Sequence, residues 1–147
     1  MPILLAEILI FFGVIGTVAS VRNLIKGIKA KNWPTASGTV VDSQITVKYN
    51  DEGNPLYGAE VKYRFNVEGM EFNSNRRTFA DHNSSDKGRA EIITSIYAPG
   101  TPVQVYYSPD NPEDSVLESG TNSTMFVALA ITLILVGIGV AGLLRYL

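Results

Sequence analysis

Residues 57–72, "YGAEVKYRFNVEGMEF", decide the fold predicted for this chain. Apolar side chains occupy most of the odd-numbered positions in the first eleven residues, and charged side chains fill three of the positions between them. This alternation is typical of an antiparallel strand with one buried face and one face in water. Glu68 and Gly69 then form a tight turn, after which Met70 and Phe72 return to the apolar face. The stretch therefore predicts a β-hairpin.

The preceding segment, residues 39–49, alternates less regularly. Val41, Ser43, Ile45 and Val47 fall on one side, and we expect that side to face the core. The "NDEGNP" stretch that follows has the composition of a turn. We therefore predict a strand that pairs with the hairpin.

A helix is predicted after the hairpin, in residues 86–98. Ser84 or Ser85 is the expected N-cap, and Pro99 with Gly100 ends the helix. The expected inward stripe consists of Ile92, Ile93, Ile96 and Tyr97.

The last predicted strand covers residues 103–107, and prolines at positions 109 and 112 stop it. A further short pairing is expected at residues 115–117. The predicted fold class is α+β: an antiparallel β-sheet of about four or five strands with one helix, flanked by two transmembrane helices.

Both flanking runs have the composition of membrane helices. Met125–Leu144 contains no charged residue, and 20 residues at 1.5 Å each span a hydrocarbon layer of about 30 Å. Residues 3–21 contain one charged residue, Glu7, and the basic residues follow the run instead of preceding it. This arrangement favours an uncleaved anchor over a signal peptide. The predicted segments are a transmembrane helix (1–25), a membrane-surface linker (26–38), a soluble antiparallel β-rich domain (39–119) and a second transmembrane helix (122–146).

Basic and aromatic residues after the first run predict a membrane-surface segment that meets anionic headgroups. They are Arg22, Lys26, Lys29, Lys31 and Trp33. By the positive-inside rule, we expect a multi-pass protein of the cell membrane with two spans and its soluble domain in the cytoplasm.

Small residues at four-residue spacing in both apolar runs let helix backbones approach closely. They are Gly13, Gly16, Thr17, Ser20, Gly137 and Ala141. We expect them to pack the two helices as a hairpin, to pair copies of the chain, or to dock it onto a larger membrane protein; these uses are compatible.

The hairpin and the later block "YAPGTPVQVYYSPDNPEDSVLESG" together resemble family 3592 of the domains of unknown function. Members of that family tend to show an aromatic alternating strand, a "V-x-G-x-x-Y/F" hairpin and a "Y-P-x-G-x-x-V-x-V-Y-Y-x-P-x-N-P" block with "VL" beyond it. The resemblance covers roughly residues 33–144, and Ala98 departs from the block's usual pattern. It implies an architecture with flanking membrane helices and no known activity.

The polar residues give little sign of chemistry. His82 is the only histidine, and with Asp81 and Asp86 it is interpreted as part of a polar loop and not as a metal site. The chain has no cysteine, and its net charge of −2 gives no reason to expect nucleic acid as a partner. We predict no catalytic residues, no metal and no cofactor, and an enzyme that uses Glu7 is a remote alternative.

A basic cluster flanks the third strand and the helix. It is interpreted as a solvated face or as a patch for anionic lipid or an acidic partner, and consists of Arg76, Arg77, Lys87 and Arg89. The expected function is that of a non-catalytic interaction or assembly module, or an accessory subunit of a membrane complex. Its expected partners are membrane lipid and either another membrane protein or itself as a homo-oligomer. The alternative is a membrane-anchored sensor or transport accessory protein that binds a small molecule or lipid.

Overall fold

The computed structural model describes residues 3–79, 81–121 and 123–145. The chain divides into two compact units, one formed by Met1–Ile28 with Thr121–Leu147 and the other by Lys29–Gly120. The elements follow in the order α1 (Ile3–Ala30), β1 (Thr35–Tyr49), β2 (Pro55–Val67), β3 (Met70–Ser74), α2 (Lys87–Ile96), β4 (Pro102–Tyr107), β5 (Ser115–Val116) and α3 (Ser123–Leu144).

Within the described residues, the strands form one five-stranded antiparallel sheet in the order β3-β2-β1-β4-β5. One short helix and two long apolar terminal helices complete the fold. The predicted α+β class is therefore confirmed, including the short last strand.

The β2–β3 hairpin forms as predicted. Val67 pairs with Met70, so the loop contains only Glu68 and Gly69. Both loop residues have positive φ, 52° and 83°, which is the backbone of a type I′ turn. The Asn66 side chain accepts a hydrogen bond of 2.9 Å from the Gly69 N–H and closes the turn.

A β-bulge interrupts β1. Val40 pairs with Tyr63 and Asp42 pairs with Lys62, which leaves Val41 as an extra residue. Val40 is buried, whereas Val41 is 52% exposed. The prediction that Val41 lies on the buried face is wrong, because the bulge reverses the alternation at that point.

The core of the sheet domain lies on one face of the sheet. Its buried members come from β1, β2, β4 and the segment after β5, and are Val40, Val61, Tyr63, Phe65, Val67, Val105 and Leu117. Every buried position that the hairpin alternation predicted on β2 between Val61 and Val67 is confirmed.

The start of α2 differs from the prediction. Asp86 is the N-cap residue, and it makes no side-chain cap hydrogen bond. Ser84 lies two residues before this N-cap: its backbone N–H and C=O pair with Tyr57 at 2.8 and 2.7 Å, and its hydroxyl accepts the N–H of Asp86 at 3.1 Å. The predicted cap at Ser84 or Ser85 is therefore wrong.

The inward stripe of α2 is also narrower than predicted. Ala90 is buried, and Ile93 and Tyr97 pack against the core. Ile92 and Ile96 are 62% and 60% exposed, so their predicted place in the stripe is wrong. At 3.6 residues per turn, these two side chains lie on a flank of the helix once Ala90, Ile93 and Tyr97 face inward.

The other unit contains two helices that are long and apolar enough to cross a membrane. α1 has 28 residues and continues to Ala30, beyond the predicted boundary at residue 25. β1 then begins at Thr35, so most of the predicted linker (26–38) is helix or strand. Most large apolar side chains of both helices are exposed, as lipid-facing side chains are.

Candidate functional site

A buried arginine holds together two distant segments of the sheet domain. The Arg77 guanidinium is bound by two hydrogen bonds to Asp81, at 2.6 and 3.0 Å, and by two to Glu118, at 2.9 and 3.0 Å. The Arg77 carbonyl also accepts the backbone N–H groups of Leu117 and Glu118. Burial by itself would lower the pKa of Arg77, but hydrogen bonds and charge attraction from the two carboxylates outweigh it and raise the pKa. We name Arg77, Asp81, Tyr97 and Glu118 the arginine clamp.

Tyr97 completes the arginine clamp. Its hydroxyl donates a hydrogen bond of 2.9 Å to Glu118. Burial is the main cause that raises the pKa of Tyr97 to about 12, and the hydrogen bond to Glu118 and the negative charge of Glu118 act in the same direction. The clamp fixes the chain segment after β5 to the loop after β3, which is a structural role.

A second buried contact supports the same junction. The Tyr63 hydroxyl donates to the Arg76 carbonyl at 2.9 Å and lies 3.2 Å from the Ser115 hydroxyl. Burial raises the pKa of Tyr63, so the phenol stays neutral and keeps donating. Both ends of the β5 segment are thus tied to the arginine-containing loop.

The four residues of the predicted basic cluster make separate contacts. Arg77 is inside the clamp, whereas Arg76 pairs with Asp114 and lies 5.5 Å from the Phe79 ring. Lys87 pairs with Glu91 at 3.3 Å on the surface of α2. Arg89, the fourth member, contacts His82 in the loop after β3.

His82 lies in an open depression of about 260 Å³ lined mainly by polar residues of β1, β2 and the loop after β3. Its Nε2 is 2.9 Å from the Arg89 guanidinium. Glu60 lines the same depression, and hydrogen bonds from Gln44 and Asn75 lower its pKa. Within the described ranges, no group of three or more His, Asp or Glu side chains could hold a metal ion.

The predicted membrane-surface residues lie near the end of α1 and in the segment after it. Arg22, Lys29 and Lys31 are exposed, and Lys26 is partly buried. Trp33 makes an edge-to-face contact with Phe79, with ring centroids 5.8 Å apart.

Small residues bring α1 and α3 into contact as an antiparallel pair. A Cβ atom at Gly13 would lie 2.6 Å from Val136, and one at Gly16 would lie 2.7 Å from Thr132. These two predicted packing residues therefore meet the other helix. On α3 the contacting glycine is Gly139, two residues after Gly137.

The other predicted packing residues lie elsewhere. Gly137 and Ala141 are exposed, and among the described residues nothing lies within 4 Å of a Cβ built on Gly137. Thr17 and Ser20 are half-buried. The Thr17 hydroxyl donates to the Gly13 carbonyl at 2.8 Å, so its polar group is satisfied within α1.

One edge of β1 is unpaired over most of its length. β1 has 15 residues, but β4 has six and pairs only with residues 35–39. The last hydrogen bonds on that side join Val40 to Thr101 and Gly100, at 3.0 and 2.8 Å. In the part of the chain that the structure describes, no strand lies beside residues 43–49 on this side. We name residues 42–49 the open edge.

The sheet register shows which backbone groups the open edge presents. Tyr57 uses its N–H and C=O to bond Ser84, on the side of β2 away from β1. Its partner on β1 is Val47, so the two residues form a non-hydrogen-bonded pair, and the N–H and C=O of Val47 point outward. The alternation extends this outward direction to Ser43, Ile45 and Tyr49.

An exposed strand edge was expected as a partner surface, but the sequence does not show which strand carries it. The predicted strands at residues 39–49 and 103–107 differ in length, eleven residues against five, and this difference could have suggested an unpaired edge. The bulge at Val41 could not have been found this way, and it determines which residues point outward.

A family model described as "Domain of unknown function (DUF3592)" matches residues 36–122, from the second residue of β1 to the residue before α3. No curated protein matches the chain.

Proposed function

The chain belongs to the DUF3592 family of domains of unknown function, and we propose that it is a non-catalytic, membrane-anchored interaction module. In this role the sheet domain is an assembly element or accessory subunit of a membrane complex. The open edge of β1 is the surface that binds the partner.

The observation that carries this proposal is the row of outward backbone groups along the open edge. An exposed strand edge offers N–H and C=O groups that a further strand can pair with. Val47 and Tyr49 on this edge are 47% and 71% exposed, so a partner would also cover apolar surface. A strand added here would continue the sheet where β4 leaves it.

Membrane anchoring is supported by α1 and α3. Both are long and apolar enough to span a bilayer, and most of their large apolar side chains are exposed. We propose two spans in the cell membrane. The basic residues that follow the first span favour a cytoplasmic sheet domain.

The arginine clamp supports a non-catalytic role. Arg77 is a buried charged residue of the sheet domain, and its side-chain hydrogen bonds go to Asp81 and Glu118. Tyr97, whose pKa is raised to about 12, donates a hydrogen bond from its hydroxyl to Glu118 within the same cluster. These polar groups stabilise the fold at a junction between chain segments.

The test is purification of the tagged full chain in a mild detergent, followed by measurement of the mass of the complex. We expect a stoichiometric complex larger than one chain. Val47→Lys places a charge on the open edge and should release the partner. Met70→Lys is the matched control, because Met70 is 60% exposed on β3, at the opposite side of the sheet. A complex that survives Val47→Lys, or a wild-type chain that runs alone, would overturn the proposal.

A further inference from the structure

We infer that the strand that pairs with the open edge is the same edge of a second copy of this chain, with Ile45 on the two-fold axis. This inference rests on the proposed function, because it names the partner for the surface proposed above. The two sheets would join into one antiparallel sheet through their β1 strands.

Backbone direction allows this pairing. Ile45 points its N–H and C=O outward, so it can exchange two hydrogen bonds with Ile45 of the second copy. In the same register Ser43 lies opposite Val47 of the second copy, and both residues also point outward. The axis at Ile45 therefore uses the outward groups of all three residues.

Charge selects this register. With the axis at Ile45, Asp42 lies opposite Lys48 of the second copy, and the symmetry repeats this pair at the other end. Opposite charges directly across an antiparallel pair are stabilising, whereas like charges are destabilising. Moving the axis by one residue along the strand places Asp42 opposite an uncharged residue, Thr46 or Asn50.

Asp42 is available for such a pair. Its carboxylate is 48% exposed and lies 3.9 Å from the Lys62 ammonium, a distant contact on the polar face of the sheet. Lys48 is exposed near the other end of the open edge. The open edge thus carries one charge of each sign, and the two lie symmetrically about Ile45.

An apolar flank of α2 adds to the self-complementary surface. Ile96 lines a depression together with Pro102 and Val103, so this flank of α2 faces the side of β1 on which β4 lies. Ile92 is one turn earlier on the same flank and is 62% exposed. The open edge is on that side of β1, so two copies would bring two such flanks towards each other.

Cysteine cross-linking tests the register directly, since the chain has no cysteine of its own. The probe is the full chain in native membranes or vesicles, oxidised after introduction of one cysteine. Ile45→Cys should form a disulfide-linked dimer, because hydrogen-bonded partners lie about 5.5 Å apart at Cα. Val47→Cys alone should not, because its two copies would lie about 13 Å apart along the strand. Mixed Ser43→Cys and Val47→Cys chains should cross-link to each other.

A charge exchange provides a second test that does not depend on disulfide geometry. Asp42→Lys or Lys48→Asp alone places like charges opposite each other and should weaken dimerisation roughly tenfold. The double variant restores opposite charges and should recover the wild-type dimer. Single variants that dimerise as well as wild type, or a double variant that does not recover, would overturn the inference.

The outcomes separate this inference from the proposed function. If Val47→Lys releases a different protein and Ile45→Cys gives no dimer, the partner is not a second copy and the inference fails, while the interaction module stands. If Val47→Lys releases nothing, both fail.

Discussion

Arg77 and Glu118, 41 positions apart in the sequence, form a two-point ion pair with nitrogen–oxygen distances of 2.9 and 3.0 Å. The arginine side chain is 9% exposed and the glutamate side chain 44%, so the pair lies at the boundary of the core. Its effect is to fix the segment after β5 against the loop after β3.

Arg77→Met should destabilise the sheet domain. The change leaves Asp81 and Glu118 without their shared cation. Loss of one member of a buried ion pair costs about 3–5 kcal/mol, and we expect a smaller loss of about 2–4 kcal/mol here, because the Asp81 and Glu118 side chains are 34% and 44% exposed. The measurement is the free energy of unfolding of the full chain in mild detergent, obtained from urea titrations monitored by near-ultraviolet circular dichroism. Arg76→Met is the control: its side chain is 44% exposed, so its ion pair should contribute less than about 1 kcal/mol. Equal effects of the two substitutions would contradict a structural role for the clamp.

Stability should fall at high pH because of Tyr97. Its pKa is raised to about 12 in the folded protein from 10.0, so the folded state holds the phenol proton more tightly than the unfolded state. The resulting stabilisation is complete below pH 10 and is lost as pH rises towards 12. Burial likewise raises the pKa of Tyr63, which adds to the loss in the same direction.

The check is the free energy of unfolding at pH 8 and at pH 11 in wild type and in Tyr97→Phe. The variant should lose less stability over this interval, because one of the two shifted phenols is gone. Tyr49→Phe serves as the control, since Tyr49 is 71% exposed. An identical pH dependence in Tyr97→Phe and wild type would show that Tyr97 does not titrate as stated.

The helix pair should accept a disulfide between Gly16→Cys and Thr132→Cys. A Cβ at Gly16 would lie 3.5 Å from the Thr132 Cβ, which is within the range found in disulfides. Oxidation of the double variant in membranes should give an intrachain cross-link, detected as a mobility shift that reductant reverses. Gly16→Cys with Ile134→Cys is the control, because Ile134 is 60% exposed.

Gly139→Leu should lower the yield of that cross-link. A Cβ at Gly139 would lie 2.7 Å from the Ile10 side chain and 3.1 Å from the Ala6 carbonyl, so a larger side chain forces the helices apart. Gly137→Leu should leave the yield unchanged, since a Cβ at Gly137 meets none of the described atoms within 4 Å. Equal yields in the two variants would mean that Gly139 does not set the helix contact.

The proposed cytoplasmic side can be tested with Asn54→Cys. Asn54 is exposed in the turn between β1 and β2, and the chain has no cysteine of its own. A membrane-impermeant thiol reagent should label this variant in lysed cells and not in intact cells. Labelling in intact cells would place the sheet domain outside.

Local patterns determined much of the architecture. The alternation on β2 identified its buried face, and Glu68 with Gly69 identified the turn, because a two-residue hairpin loop needs two residues that tolerate positive φ. The two apolar runs identified the long terminal helices, since length and composition are properties of the sequence itself. Such features depend on neighbours in the chain and are therefore readable without a structure.

Contacts between distant residues were decided only by the tertiary structure. From the sequence, Arg77 was expected in a surface cluster of basic residues. It is buried in the arginine clamp because the fold brings Asp81 and Glu118 to it. Ser84 or Ser85 was the expected cap of α2, but the helix begins at Lys87 with Asp86 as its N-cap, and Ser84 pairs with Tyr57 instead. The bulge at Val41 arises from the register between β1 and β2, and it reverses the direction of every outward group that follows. A sequence pattern specifies which residues prefer burial or a turn, whereas register and long-range pairing depend on the summed energy of contacts that no local stretch contains.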